Sequence, residues 1–270
     1  MSLGIRRLRP ALVGGALLAI VPRLHAQAAA EADSAPKLEV YAEARVVSRY
    51  AWRGYDLSRA KPAFQPYVEV TLPSGLGFNA FTTSALDRQT ELDEAQLGLT
   101  FRREVRGAWE VGFGYLLYVM PGTQTEPSPE GPDSLSPAMS GEFVASVTRN
   151  WSGGYATLTY ARGHGSGVGN SVNLWVQHTL AWAGGRWSAE PYVQVDYLDE
   201  YGPPSGFGDR MSGVEIGVPV YRQLGAVRLQ LAGYLTVVPS GYVRGSNGAA
   251  GGSARRVLPW AAAGVVYERE

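Results

Sequence analysis

Three groupings of side chains in this sequence have the makings of chemistry. The first is His164-Gly165-Ser166. In an extended strand, residues two apart share a face, so the imidazole can take the hydroxyl proton and turn Ser166 into a nucleophile, as hydrolysis of a lipid ester requires. Asn170 or Asn173 would orient the imidazole. Gly163, Gly165, Gly167 and Gly169 interrupt the stretch, however, and such glycine density predicts a mobile loop, not a pre-organised site. The second grouping is Asp196, Asp199 and Glu200 with Asp209 nearby. Oxygen ligands of this kind suit a hard cation such as calcium. No calcium-loop motif accompanies them, and clustered acids on a loop read as solvated. No metal site and no cofactor are expected. The third grouping is dispersed: Glu39, Glu43, Glu69, Glu94, Glu110, Glu142, Glu190, Asp196 and Glu215, with Arg45, Arg102 and Arg228. These charges matter only if the fold brings them to one surface.

Composition narrows the field. The chain has 270 residues, 34 Gly, 17 Pro, three His and no Cys. Zero Cys excludes disulfides, thiolate metal sites, cysteine nucleophiles and a lipoprotein acyl anchor. Lys plus Arg and Asp plus Glu both number 24, so there is no basic footprint for nucleic acid.

The N-terminus reads as an export signal. Arg6, Arg7 and Arg9 precede an apolar run from Ala11 to Val21, Pro22 breaks it, and Ala26-Gln27-Ala28 offers a small-residue cleavage site. Residues 1–28 are therefore expected to be cleaved, 29–37 to form a short lead, and 38–270 to fold. Cleavage would remove four Arg and no acid, leaving 20 basic and 24 acidic residues.

After Ala28 no stretch is apolar for the roughly 20 residues a membrane helix needs. What recurs is alternation with period two, bounded by Gly, Pro, Ser and Asp. Twelve runs are predicted: 38–50, 66–72, 76–86, 92–102, 108–119, 142–151, 154–161, 171–183, 187–198, 212–222, 226–237 and 256–268. In the fourth, Ala95, Leu97, Leu99 and Phe101 oppose Glu94, Gln96 and Thr100. In the ninth, Val193, Val195 and Tyr197 oppose Glu190, Tyr192, Gln194 and Asp196. Short turns (74–75, 103–107, 152–153, 184–186, 223–225) alternate with long Gly/Pro-rich links, the layout of an outer-membrane barrel with short periplasmic turns. Trp109, Trp151, Tyr155, Trp182 and Trp187 flank the short turns, and Tyr50, Trp52, Tyr55, Tyr118, Tyr197 and Tyr201 lie toward the long loops. Two interfacial girdles would look like this. Alternation by itself does not say which face is inside, since a soluble barrel also alternates with its apolar face inward. Pro191, Pro219 and Pro259 fall inside predicted strands and mark soft boundaries. His178 falls on an apolar face.

The stretch Ser48-Arg49-Tyr50-Ala51-Trp52-Arg53-Gly54-Tyr55-Asp56-Leu57-Ser58, followed by Pro62-Ala63-Phe64-Gln65-Pro66 and Leu92-Asp93-Glu94, resembles the TorF porin family, also known as the Gcw_chp family of bacterial proteins. The likeness is strongest over residues 40–120. It implies an outer-membrane β-barrel with a pore, no enzymatic residues and no defined substrate. Read physically, Ser48, Arg49, Tyr50, Arg53 and Gly54 either shape the first long loop or touch a solute.

The expectation is thus an all-β protein, a transmembrane up-and-down antiparallel β-barrel of about twelve strands in the bacterial outer membrane. Its acidic interior would pass small polar or cationic solutes, because carboxylate rings attract cations. A closed barrel acting structurally or adhesively through its loops is the alternative, and a lipid hydrolase the third reading. The expected partners are outer-membrane lipids and lipopolysaccharide, the barrel-assembly machinery during biogenesis, and small solutes.

Overall fold

A computed structural model describes residues 38–52, 55–56, 61–86, 94–120, 138–165, 169–199, 210–238 and 257–269. Twelve antiparallel staves run through them: β1 (Glu39–Val47), β2 (Ala63–Thr71), β3 (Leu76–Ala85), β4 (Glu94–Arg106), β5 (Trp109–Met120), β6 (Ala138–Trp151), β7 (Gly154–Gly165), β8 (Gly169–His178, resumed as Leu180–Trp182), β9 (Trp187–Ala189, resumed as Tyr192–Asp199), β10 (Arg210–Leu224), β11 (Val227–Val237) and β12 (Val257–Arg269). Each stave pairs with its neighbours in sequence order. β1 also pairs with β12, from Val40 opposite Arg269 to Val47 opposite Ala262, so the sheet closes on itself and leaves no edge. Ser48, just past β1, extends this seam: its N–H donates to the Ala261 carbonyl, and its Oγ accepts from the Ala261 N–H at 2.9 Å. A two-residue hairpin, Ala51–Trp52 with Tyr55–Asp56, follows.

The strands follow the predicted runs with adjusted ends. β4 and β5 continue until only Gly107-Ala108 separates them, so the predicted turn at 103–107 shrinks. β7 runs on to Gly165, which puts His164 on a strand and not in the predicted mobile loop. The prolines sit where a ladder can spare a donor. Pro191 occupies the break in β9, where its carbonyl accepts from the His178 N–H at 3.1 Å. Pro219 lies opposite that break and accepts from the Glu190 N–H. Pro259 lies outward of Ala262, the last residue paired to β1. In the turn from β2 to β3, Gly75 has φ +88°, and a Cβ there would strike the Arg102 backbone carbonyl, so glycine is required.

Burial decides what alternation left open. The outward positions carry Leu97, Leu99, Phe113, Phe143, Leu158, Val176, Ile216 and Leu231, all exposed, with Leu231 at 68%. The inward positions carry Gln, Thr, Asn, Glu, Arg and Tyr, nearly all buried. A soluble monomer rarely exposes an apolar surface beyond a few hundred Å², whereas an apolar belt around a polar interior is the order that lipid as solvent imposes. At the short-turn end, Trp109, Trp151, Trp182 and Trp187 are exposed, with Arg149 5.3 Å from the Trp109 ring centroid and Arg222 5.6 Å from that of Trp187. That girdle forms as expected. Tyr155, Tyr50 and Tyr118 do not belong to the girdles: at 1–2% exposure they point inward. Distance from a turn fixes a residue's height, but strand parity fixes its face: Tyr155 shares parity with Thr157 and Tyr118 with Leu116, while Tyr50 lies past the end of β1 and is turned inward outside the ladder. Tyr197 is exposed on the outer face. The side chains of Trp52 and Tyr55, and all of Tyr201, lie outside the described residues.

Candidate functional site

The interior is the surface on which the dispersed charges meet. Glu43, Arg45, Glu69, Glu94, Arg102, Glu142, Glu190, Asp196, Glu215 and Arg228 are all buried there, and Glu39 and Glu110 are half-buried on inward positions. Strand pairing assembles them into clusters. Arg102 of β4 reaches Glu69 of β2 at 2.5 Å, while Tyr67 and Thr71 donate to the same carboxylate at 2.7 and 3.2 Å. Arg228 of β11 bridges Glu190 of β9 at 3.1 Å and Glu268 of β12 at 2.8 Å, and its guanidinium lies 4.4 Å from the Tyr221 ring centroid. Gln177 of β8 donates to Glu190 at 3.1 Å. Arg45 lies 3.8 Å from Glu43 and donates Nε–H to Gln65 at 3.0 Å.

Tyrosine is the partner that charge-spotting missed. Tyr41 donates to Glu43 at 3.2 Å, Tyr67 to Glu69, Tyr50 to Glu94 at 2.8 Å, Tyr118 to Glu142 at 2.7 Å and Tyr192 to Glu215 at 2.6 Å. A phenol suits this place because its ring fills space while its hydroxyl satisfies a buried anion. The signal was present for Tyr41, Tyr67 and Tyr192, which share the polar parity of their strands. Thr236 also donates to Glu215, at 2.7 Å, and Asn173 and Gln194 donate to Asp196 at 2.9 and 2.7 Å.

Both signs occur at both ends of the barrel. Arg102 and Arg228 lie toward the short-turn ends of their strands, whereas Arg45, Glu94, Glu142, Asp196 and Glu215 lie toward the long-loop ends, where Arg49 is also buried. An aromatic layer crosses the interior between β8 and β12: Trp175 stacks on Tyr192 at 4.0 Å and Tyr234 on Trp260 at 3.7 Å, with the two pairs meeting at 6.3 Å. Gly217 of β10 makes room for it, since a Cβ there would run into the Tyr192 ring.

The other candidates fall elsewhere. Tyr50 and Glu94, both from the stretches that carried the family resemblance, are hydrogen-bonded to each other, and Ser48 holds the β1–β12 seam. Arg53 and Gly54 lie outside the described residues. His164 faces outward and is exposed, with Nε2 2.8 Å from the Tyr115 hydroxyl; Ser166 lies outside the described residues. Asp196 and Asp199 take opposite faces of β9, since residues three apart in a strand point apart. Asp199 accepts from Asn170 at 3.1 Å on the outer side, and Glu200 and Asp209 lie outside the described residues.

A family profile described as "Bacterial protein of unknown function (Gcw_chp)" matches residues 29–172. No curated protein matches the chain in sequence. Among solved structures, the fold is similar to that of the KdgM porin, with TM-score 0.53, 8% identity, and coverage of 85% of this chain and 99% of that one. A second, the KdgM porin in complex with disordered oligogalacturonate, gives TM-score 0.52 at 8% identity over 86% of this chain and 99% of that one. At such identity the likeness is one of fold: a closed antiparallel barrel of the outer-membrane kind.

Proposed function

The chain belongs to the Gcw_chp family, and from that membership and the interior described above we propose an outer-membrane porin that passes small polar or cationic solutes. The TorF porin identity, export by residues 1–28, residence in the outer membrane, and contact with lipopolysaccharide and the assembly machinery belong to the same proposal. The observation that carries it is the acid excess inside the barrel. Among the described inward residues, Glu39, Glu43, Glu69, Glu94, Glu110, Glu142, Glu190, Asp196 and Glu215 outnumber Arg45, Arg49, Arg102 and Arg228. Carboxylates lining a passage draw cations in and turn anions away. An oligogalacturonate, as bound by the KdgM porin, is a polyanion; this interior has the wrong sign for one.

A second reading, a closed barrel acting through its loops, is favoured by the side-chain packing: Arg228, Tyr50, Tyr118, Tyr155 and Tyr221 are all under 2% exposed. Twelve strands enclose a lumen between those that side chains fill and those of open porins. Single-channel recording of the chain without residues 1–28, in a planar bilayer under a salt gradient, separates the two. Stable steps with a cation-selective reversal potential support the porin. Insertion without conductance supports the closed barrel.

A further inference from the structure

The outer face of the barrel is apolar over most of its height, but one patch near the long-loop ends of β5 to β8 is not. Arg162 and His164 sit two residues apart on β7 with the same outward parity, so their side chains leave the sheet roughly 7 Å from each other. At comparable outer positions β1, β4 and β11 present Val46, Leu97, Leu235 and Val237, and β3 presents only the uncharged Thr82 and Ser84. Both basic groups are held. Arg162 Nη1 donates to Asn170 Oδ1 at 3.1 Å, which also accepts from the Tyr160 hydroxyl at 2.7 Å. Asn170 Nδ2 donates to Asp199 at 3.1 Å, so the amide stands between the guanidinium and that carboxylate. His164 stacks on Tyr115 with centroids 5.5 Å apart and lies 5.7 Å from Phe143. Gly141, opposite His164 in the register, leaves the space in which the Tyr115 hydroxyl meets Nε2. The guanidinium uses one of its five donors on Asn170, and the imidazole keeps Nδ1.

Height identifies the occupant. Arg162 lies eight residues above Gly154, the first residue of β7 after the Trp151 turn. At about 3.3 Å per residue and a tilt of about 40°, it stands roughly 20 Å above that girdle, close to the far edge of an apolar band about 25 Å tall. A guanidinium and an imidazole framed by exposed rings at that level meet the boundary where acyl chains give way to headgroups. We propose that Arg162 and His164, positioned by Asn170 and Tyr115, bind the phosphate of an anionic lipid headgroup in the outer leaflet. The site needs only that the barrel spans a membrane, and it stands whether the interior conducts or not.

Native mass spectrometry of the refolded protein tests it, with lipid A, dephosphorylated lipid A and phosphatidylcholine as probes. The wild type should retain lipid A about tenfold over the dephosphorylated form, the worth of one charge-assisted contact. Arg162→Gln should lose most of that preference, Arg162→Lys should keep part of it, and Arg149→Gln, at the opposite end, should keep all of it. Equal retention by wild type and Arg162→Gln, or an equal loss in Arg149→Gln, overturns the site. Displacement of lipid A by millimolar inorganic phosphate overturns the lipid assignment in favour of a free-anion site. Failure to retain any of the three lipids points past this site to the membrane-spanning reading itself.

Discussion

Removing the guanidinium of Arg228 should weaken the barrel at the place where its last strands converge. Arg228 is about 1% exposed and holds Glu190, fully buried, and Glu268, 18% exposed at its side chain. The three residues come from β11, β9 and β12, so one side chain ties strands that are not all neighbours. In Arg228→Met the methylene stem can still cover the Tyr221 ring, but two carboxylates lose their counter-charge. Breaking a buried pair from one side costs about 3–5 kcal/mol, because the remaining charge stays desolvated. The Glu190 side carries most of this. Glu268→Gln, at a half-wet position, removes one charge-assisted bond and should cost about 1–2 kcal/mol. Neutralising both partners in Arg228→Met/Glu190→Gln should recover about half of the single-variant loss, since Gln can keep the bond from Gln177 without a stranded charge. Urea titration of the vesicle-reconstituted protein, read by the mobility difference between folded and unfolded barrel, measures all three. Bilayer recording supplies an independent check. Arg228 is one of the few cations inside, so its loss should move the reversal potential further toward cation selectivity. If Arg228→Met costs under 1 kcal/mol, or the double variant is simply additive, the cluster does not hold the seam and the reasoning fails.

Other expectations follow from the same structure. Replacing Glu69, Glu94 and Glu142 together with Gln should reduce the cation selectivity of single channels; an unchanged reversal potential would remove the acidic interior from the mechanism. Leu99 is 47% exposed on the lipid-facing side of β4, and Leu99→Arg should cost about 2–4 kcal/mol of folding stability in vesicles. On a water-facing surface the same change would stay within about 0.5 kcal/mol, so a neutral outcome contradicts a lipid-facing belt. Gly217→Ala should destabilise by about 1–3 kcal/mol through overpacking against Tyr192, with Tyr192→Phe/Gly217→Ala little better, because the ring carbons Cε1 and Cζ clash even without the hydroxyl. Tyr192→Phe alone leaves Glu215 with the Thr236 bond and should cost about 1–2 kcal/mol, measured in the same urea titration.

The sequence by itself determined the strands, because a period-two pattern broken by turn residues is a local property of the chain. All twelve predicted runs correspond to staves, and the parity of Glu43, Glu69, Glu94, Glu190 and Arg228 follows from their own strands. Sequence could not say whether that parity faces water, lipid or a core, since alternation is symmetric between the two faces. Closure decided it: once β1 pairs with β12, one face is enclosed and the other is the whole exterior. Partnership was equally out of reach. Arg102 and Glu69 are 33 residues apart, and Arg228 and Glu190 are 38 apart. Only the register of intervening strands makes either pair neighbours. The tyrosines show the limit most plainly. Tyr118 and Tyr155 turn inward to Glu142 and Gln177 with the parity of their own strands, but Tyr50 lies past the end of β1, and only the tertiary structure turns it inward to donate to Glu94, 44 residues away.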